Sequence, residues 1–285
     1  MMTIQENAYA KLNLTLDVLD RREDGYHNLL SVMQTVSLCD GLELTLGTGG
    51  PWRVTADRDD VPPDGDNLAF RAARAYYDAA GTDPDGLTVR ITKRIPMQGG
   101  LGGGSADAAA VLRALNRADG DRFSGGELER IGEAVGSDVP FCVRGGTVLA
   151  EGRGERLTAL APLPECYFVL VQPGFTASTP ALYAKLDSIR VPARPKTEAM
   201  LRALEKGDLQ EIGCQMLNVF EYALLPDHDE LFKIENALEN CGALGTSMTG
   251  SGSVMFGLFA NFDFAAAASM SLMTCGYRTF MAKNV

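Results

Sequence analysis

The stretch IPMQGGLGGGSADAA, residues 95–109, decides the fold of this chain more than any other part of it. Five of the six residues from Gly99 to Gly104 are glycine. The alternation of Leu87 to Thr92 ahead of them predicts a strand, and the alanine-rich Ser105 to Ala118 behind them predicts a helix. A glycine turn that leads into a helix presents unpaired backbone N–H groups and the positive end of the helix dipole. The stretch therefore predicts a phosphate-binding loop that needs no lysine or arginine.

Two other kinds of glycine loop do not match this stretch. A Walker A loop requires lysine directly after its last glycine, and no lysine occurs between Lys93 and Lys185. A dinucleotide fingerprint starting at Gly100 would place Ser105 where a glycine is required. A flexible connector remains the alternative, and we disfavour it because connectors rarely lie between a strand pattern and a strong helix.

Length and charge restrict the architecture and the partners. The chain has 285 residues, near the upper limit of roughly 250–300 for one hydrophobic core, so we expect two lobes. The formal charge is −11, from 37 acidic and 26 basic residues. Such acidity argues against non-specific binding of nucleic acid or of an anionic membrane. It does not exclude a small anion that backbone dipoles hold locally.

Cysteine and histidine usage excludes several kinds of site. The six cysteines lie at least 24 positions apart and show no paired spacing, and only two histidines occur. We see no secretory signal and no apolar run of about 18 residues, the length that a membrane span needs. These features favour free thiols in a cytoplasmic protein and exclude a zinc ribbon or a CxxC redox motif. We expect no metal site made by the protein alone.

The pattern of elements predicts an α+β protein. We place a first lobe at residues 1–160 and a second at 161–285, because the Pro-rich connector at 160–164 separates two strand-like runs. Strands split by helices in the second lobe suggest a ferredoxin-like sandwich. The predicted strands are Ala10–Val18, Leu87–Thr92, Tyr167–Val171, Leu244–Thr249, Ser253–Phe259 and Tyr277–Met281. The predicted helices are Asn67–Ala80, Ser105–Ala118, Ser124–Val135, Thr179–Leu186, Lys196–Glu205, Leu209–Leu217, Asp229–Asn240 and Phe264–Thr274.

A second glycine-rich segment, Met248–Ser253, lies between two of the late strands. On its own it is equally well explained as a hairpin turn or as part of a ligand site.

Several segments together resemble a known family of kinases. The stretch 95–109 resembles the ATP-binding motif of the GHMP kinase superfamily. AKLNLTLDVLDRREDGYH at 10–27, QPGFTASTPALY at 172–183, GSDVPF at 136–141 and TGSGSVMF at 249–256 resemble, within that superfamily, the 4-diphosphocytidyl-2-C-methyl-D-erythritol kinases. These matches span nearly the whole chain. The resemblance implies an N-terminal ATP-binding α/β lobe, a C-terminal ferredoxin-like lobe and a role in isoprenoid precursor synthesis.

The same resemblance implies a reaction and a set of site residues. ATP would be the phosphoryl donor, with Mg²⁺, and the 2-hydroxyl of the cytidine-linked methylerythritol would be the acceptor. The implied catalytic pair is Lys11 and Asp138. The implied substrate contacts are Asn13, Tyr26, His27, Thr179 and Tyr183, with the aromatic rings enclosing cytosine. The implied ATP-binding residues are Pro96, Met97, Gln98, Gly99, Gly100, Leu101, Gly102, Gly103, Gly104, Ser105 and Ala106.

Some of these residues have simpler explanations. Asp138 could be an ordinary turn residue before Pro140, and Lys11 a solvent-facing lysine on a strand. Ser105 could cap its helix, contact a phosphate or Mg²⁺, or do both. Gln98 departs from the family, which usually has Gly or Ala there, and Tyr183 replaces a common Phe while keeping a stacking surface.

Two other functions stay open at this point. One is another GHMP kinase, acting on homoserine, mevalonate or a sugar. The Gly25-Tyr26-His27 segment and its partner Tyr183 argue against it. A non-catalytic nucleotide sensor on the same fold would be free to lose Lys11 and Asp138. We expect small-molecule partners only, and a monomer or weak homodimer.

Overall fold

The computed structural model describes all 285 residues, which form eleven strands and ten α-helices. The strands are β1 (Met2–Arg21), β2 (His27–Leu46), β3 (Arg53–Ala56), β4 (Leu87–Thr92), β5 (Thr147–Gly152), β6 (Arg156–Ala159), β7 (Tyr167–Gln172), β8 (Leu217–Asn218), β9 (Gly245–Met248), β10 (Met255–Phe259) and β11 (Arg278–Lys283). The helices are α1 (Leu68–Ala80), α2 (Gly103–Ala118), α3 (Gly125–Glu133), α4 (Val139–Arg144), α5 (Thr179–Ser188), α6 (Thr197–Lys206), α7 (Leu209–Gln215), α8 (Glu221–Leu224), α9 (Asp229–Asn240) and α10 (Phe262–Thr274).

The first of two compact units comprises residues 1–10, 39–95 and 102–145. Within it β4 pairs antiparallel with the end of β2, with Leu42 opposite Ile91, and parallel with β3. The helices α1 and α2 pack against each other. Buried alanines on both helices, such as Ala72 and Ala109, leave little side-chain bulk between the two backbones. This unit contains the glycines that open α2.

The second compact unit comprises residues 11–38, 96–101 and 146–285. It holds a four-stranded antiparallel sheet in the order β11-β7-β10-β9. A buried apolar cluster joins this sheet to α5, α8, α9 and α10 through side chains such as Val169, Phe220, Leu238 and Phe259. The α+β class and the ferredoxin-like sandwich predicted for the C-terminal part are confirmed. The linear boundary at residue 160 stays a prediction, since β1 and β2 each contribute residues to both units.

Most of the predicted elements are present with shifted ends, but β2 was missed, as were the shorter elements β3, β5, β6, β8, α4 and α8. Six consecutive residues of β2, Ser31 to Val36, are all buried. A strand that is buried on both faces has no alternation of apolar and polar residues, so the pattern used to find strands is absent. The helix predicted at Leu209–Leu217 ends at Gln215, and Leu217 instead pairs with Thr15 of β1.

The polar face of β1 is not exposed. Lys11, Asn13, Thr15 and Asp17 are each at most 5% exposed, so the interpretation of Lys11 as a solvent-facing lysine is wrong. Both faces of this part of β1 are therefore covered, and its polar side chains need partners inside the protein.

None of the ten helices has the length and the apolar character needed to cross a membrane.

Candidate functional site

The first part of the glycine loop packs against the hairpin between β9 and β10. Val254 N donates a hydrogen bond to Gly99 O (3.3 Å), and Lys11 N donates one to Leu101 O (3.1 Å). Gly100 has φ +77°, and a Cβ there would lie 2.1 Å from the carbonyl oxygen of Thr249. Only glycine fits at this position, because both the backbone conformation and the space exclude a side chain.

The second part of the loop starts α2 and leaves backbone donors unused. Gly102 is the N-cap, in the left-handed conformation (φ 68°, ψ 22°), and makes no side-chain cap. Ala106 N donates to Gly102 O at 2.8 Å, so the N–H groups of Gly103, Gly104 and Ser105 precede the helix's own bonding pattern. Ser105 lies inside the first turn, and its predicted role as helix cap is therefore wrong. The arrangement is suited to an anion.

Gln98, the residue that departs from the family pattern, has φ +55°. This is the left-handed region, which glycine adopts at no steric cost and glutamine does not. Glycine would therefore adopt this conformation more easily, and the backbone strain lies at the residue just ahead of the glycines.

Two buried side chains hold the hairpin between β9 and β10 in place. Asn218 Nδ2 donates to both Met248 O and Gly250 O at 2.8 Å. Glu221 Oε1 accepts from Ser247 Oγ and from Met248 N, both at 2.7 Å. Burial raises the pKa of Glu221 to about 7. The segment Met248–Ser253 is thus a hairpin turn, one of the two explanations left open by the sequence, and it also forms part of the surroundings of Gly100.

Lys11 and Asn13 face this hairpin from β1. Lys11 Nζ donates to Asn13 Oδ1 at 2.6 Å, and Gly250 N donates to the same oxygen at 2.9 Å. Asn13 Nδ2 donates to Ser31 Oγ at 2.8 Å. A Cβ at Gly250 would lie 3.1 Å from Lys11 Nζ, so the absence of a side chain at 250 makes room for the ammonium group.

His27 and Tyr183 form a second group in the same unit. Their rings stack with centroids 4.9 Å apart, and His27 Nε2 lies 2.8 Å from Asp187 Oδ1. The His27 side chain is buried, whereas that of Tyr26 is 61% exposed and lies beneath the guanidinium of Arg153. The structure brings His27 together with Tyr183, and enclosure of a base by Tyr26 stays a prediction.

Thr179 connects the hairpin to α5. Its Oγ1 lies 2.6 Å from Ser251 Oγ, and it occupies the first position of α5, one turn ahead of Tyr183. Ser251 and Asp187 were not among the predicted site residues. Ser251 could have been found from the second glycine segment, whereas nothing near Asp187 in the sequence signalled a role.

Asp138 belongs to the first unit, where it is the N-cap of α4 and half-buried. Two residues earlier, a Cβ at Gly136 would lie 3.9 Å from Ser105 Oγ. The segment that carries Asp138 therefore lies beside the first turn of α2 and its unused N–H groups. The pairing of Asp138 with Lys11 stays a prediction.

Both halves of the chain match known protein-family models. The model described as GHMP kinases N terminal domain matches residues 67–146, and the one described as GHMP kinases C terminal matches residues 200–271. The first range includes the glycines of α2 and Asp138, and the second includes the hairpin between β9 and β10.

Known relatives and solved structures show which kinases of this superfamily the chain is similar to. The chain is 42% identical, over 92% of its length and 90% of the relative, to a 4-diphosphocytidyl-2-C-methyl-D-erythritol kinase from Caldicellulosiruptor saccharolyticus. A crystal structure of 4-(cytidine 5'-diphospho)-2C-methyl-D-erythritol kinase matches with a TM-score of 0.82 and 34% identity, covering 99% of both chains. A homoserine kinase from Cytophaga hutchinsonii shares the fold (TM-score 0.78, 20% identity, 99% of this chain and 94% of that one).

Proposed function

The chain belongs to the family of 4-diphosphocytidyl-2-C-methyl-D-erythritol kinases, and from this premise we propose the reaction that it catalyses. It transfers the γ-phosphoryl group of ATP to the 2-hydroxyl of 4-diphosphocytidyl-2-C-methyl-D-erythritol, giving the 2-phosphate, a step of isoprenoid precursor synthesis. The observation that carries the proposal is the glycine loop that opens α2, where three N–H groups precede the first helical hydrogen bond. Such a helix start binds phosphate on a protein of net charge −11 without needing lysine or arginine.

Lys11 and Asp138 are the residues to which we assign the chemistry. Phosphoryl transfer needs positioning and charge neutralisation more than covalent catalysis. A carboxylate at Asp138 would accept the proton of the acceptor hydroxyl, and the buried ammonium of Lys11 would polarise the attacking oxygen. The position of Asp138 beside the first turn of α2 supports its half of this assignment.

Mg²⁺ is expected to accompany ATP. No group of three or more His, Cys, Asp or Glu side chains is arranged to hold a metal ion. Mg²⁺ keeps several waters and is usually bound through substrate phosphates and one or two protein oxygens rather than by a full set of side chains. Ser105, whose Oγ lies in the first turn of α2, is the residue we assign to it. Bound there, Mg²⁺ would neutralise charge on the β- and γ-phosphates.

The acceptor would be recognised in the second unit. The ring of Tyr183 and the exposed ring of Tyr26 offer base stacking worth roughly 1–3 kcal/mol for each base. His27 offers a ring nitrogen for the pyrimidine edge. Asn13 Oδ1 lies 2.6 Å from Lys11 Nζ, and Thr179 Oγ1 lies 2.6 Å from Ser251 Oγ. Free cysteines throughout support placing the protein in the cytoplasm, and we propose a monomer or weak homodimer.

The experiment that tests the proposal is a panel of alcohols in an assay of ADP release with ATP and Mg²⁺. We expect turnover with 4-diphosphocytidyl-2-C-methyl-D-erythritol and little with mevalonate, homoserine or galactose. Equal activity on mevalonate would overturn the assigned acceptor. ATP binding without a phosphorylated product from any alcohol would instead favour a nucleotide sensor.

A further inference from the structure

Three charged side chains are buried together in the first unit, next to the start of α2. Lys93, Asp40 and Asp107 have side chains that are 1%, 0% and 4% exposed. Lys93 Nζ donates a short hydrogen bond to Asp40 Oδ2 and a second one, of 2.8 Å, to Asp107 Oδ2. One ammonium group therefore connects a carboxylate from β2 to a carboxylate from α2.

The same three residues join the end of β4 to the first turns of α2. Asp40 Oδ1 accepts from Arg94 N (2.5 Å) and Ile95 N (2.8 Å), the residues that follow β4. A Cβ at Gly103 would lie 3.4 Å from Lys93 Nζ. The ammonium group thus lies directly against the first helical turn, where the unused N–H groups begin.

Stability does not explain this cluster. It contains two carboxylates for one ammonium group, and the buried Asp107 Oδ1 has no hydrogen-bond partner. Burial raises the pKa of Asp107 to about 7, so ionisation of this carboxyl opposes folding at neutral pH. Apolar residues of similar volume commonly replace buried ion pairs without loss of stability. The cluster is therefore better explained by the geometry it imposes.

We propose that Lys93 and Asp107 are positioning residues, which hold the start of α2 in the position from which its N–H groups reach the phosphates of ATP. The proposal rests on the proposed function, since it assumes ATP as the ligand of this loop. It assigns no contact with ATP to either side chain, because both are covered by protein.

A second ion pair of α2 provides a matched control. Arg113 Nε donates to Glu6 Oε1 at 3.1 Å, and its other nitrogens donate to Cys142 O and Asn7 O. Arg113 lies ten residues beyond Gly103, which is about 15 Å along a helix. It anchors the same helix to the same unit, but far from the glycines.

The test measures the affinity for a fluorescent ATP analogue, together with the KM for ATP and for the alcohol, in three variants. Asp107→Leu has the shape of aspartate without an acceptor for Lys93, whereas Asp107→Asn keeps an acceptor oxygen. Both remove the same charge, and only Asp107→Asn retains an acceptor for Lys93 Nζ. Arg113→Met removes the distant anchor.

We expect Asp107→Leu to raise the Kd of the analogue and the KM for ATP on the order of tenfold, the effect of losing one charge-assisted hydrogen bond. The KM for the alcohol and the urea midpoint at pH 8 should match those of Asp107→Asn, whose Kd should stay within about twofold of the unaltered protein. Arg113→Met should lower the urea midpoint and leave the Kd unchanged.

Two results would overturn the proposal while leaving the proposed function intact. One is an unaltered Kd in Asp107→Leu, and the other is an equal rise of the Kd in Arg113→Met. If the unaltered protein itself neither binds the analogue nor phosphorylates the alcohol, the proposed function fails instead.

Discussion

Gly250 N donates a 2.9 Å hydrogen bond to Asn13 Oδ1, which also accepts from Lys11 Nζ at 2.6 Å. One amide oxygen thus sets the position of the hairpin and of the ammonium group to which we assign polarisation of the acceptor oxygen. Asn13 and Gly250 lie 237 positions apart in the chain.

Asn13→Ala should therefore affect activity and stability together. It removes an acceptor from the buried Gly250 N–H group and from the Lys11 ammonium, and a buried N–H group left unsatisfied costs about 1–3 kcal/mol. We expect kcat/KM to fall at least tenfold, as measured by ADP release, and the free energy of unfolding to fall in urea titrations. Ser31→Ala loses the bond on the other side of the amide and the bond from Ser31 Oγ to Thr15 O, but it keeps Asn13 Oδ1 as the acceptor. It is the control and should keep most of the activity.

Gly100→Ala should be far more damaging than a helical glycine substitution. The new Cβ would meet the Thr249 carbonyl at 2.1 Å in a backbone with φ +77°, so the loop or the hairpin must move. We expect a loss of about 2 kcal/mol or more in the free energy of unfolding and weaker ATP binding. Gly126→Ala, in α3 with nothing near its Cβ, should instead stabilise the protein by about 0.4–1 kcal/mol.

Gln98→Gly should stabilise the loop. Glutamine at φ +55° carries backbone strain of about 1–2 kcal/mol. Glycine relieves this strain, but part of the gain is lost because glycine is more flexible in the unfolded chain. We expect a net gain of up to about 1 kcal/mol in the free energy of unfolding, measured in urea. Gln98→Ala removes the side chain but keeps the strain, so a similar gain in that variant would contradict this explanation.

Asp138→Asn should separate catalysis from nucleotide binding. The amide keeps the shape of the side chain but cannot accept the hydroxyl proton, so turnover should fall on the order of 10²–10⁴-fold. Binding of a fluorescent ATP analogue should persist, because the loop N–H groups are unchanged. Near-normal turnover would remove Asp138 from the mechanism. Ser137→Ala, the exposed neighbour, controls for disturbance of the turn.

Glu221 should make stability depend on pH. Burial raises its pKa from 4.5 to about 7, so between these values the folded protein keeps a proton that the unfolded chain has lost. Its contribution is fully present below about pH 4.5 and is lost as the pH rises through about 7, on the order of 3 kcal/mol. Asp107 acts in the same direction between 3.8 and about 7.

Urea titrations from pH 5 to 8 with Glu221→Gln check this. The amide oxygen can still accept from Ser247 Oγ and Met248 N, so we expect a shallower fall of stability with pH. Glu205→Gln, at an exposed position of α6, should retain the slope of the unaltered protein. An unchanged slope in Glu221→Gln would exclude this carboxyl as the titrating group.

The parts of the site that could be predicted are those with a local signal. The glycines from Gly99 to Gly104 predicted a phosphate loop because backbone donors at a helix start depend on neighbouring residues alone. The resemblance pointed to Asp138, whose surrounding sequence is an ordinary turn. Asp40 could not be found, since it takes the place of an apolar residue on the buried face that carries Leu42 and Leu44, and its partner Lys93 lies 53 positions away. Asp187 likewise could not be found, because its contact with the ring of His27 joins residues 160 positions apart.

The sequence by itself determined the α+β class, the glycine loop at the start of α2 and the kinase family, because each follows from short motifs and local periodicity. Only the tertiary structure decided that the polar face of β1 is buried, that the hairpin between β9 and β10 rests on Asn13, and that Lys93 connects Asp40 to Asp107. These relationships depend on which buried donors meet which acceptors, and that choice is made by packing between segments far apart in the chain.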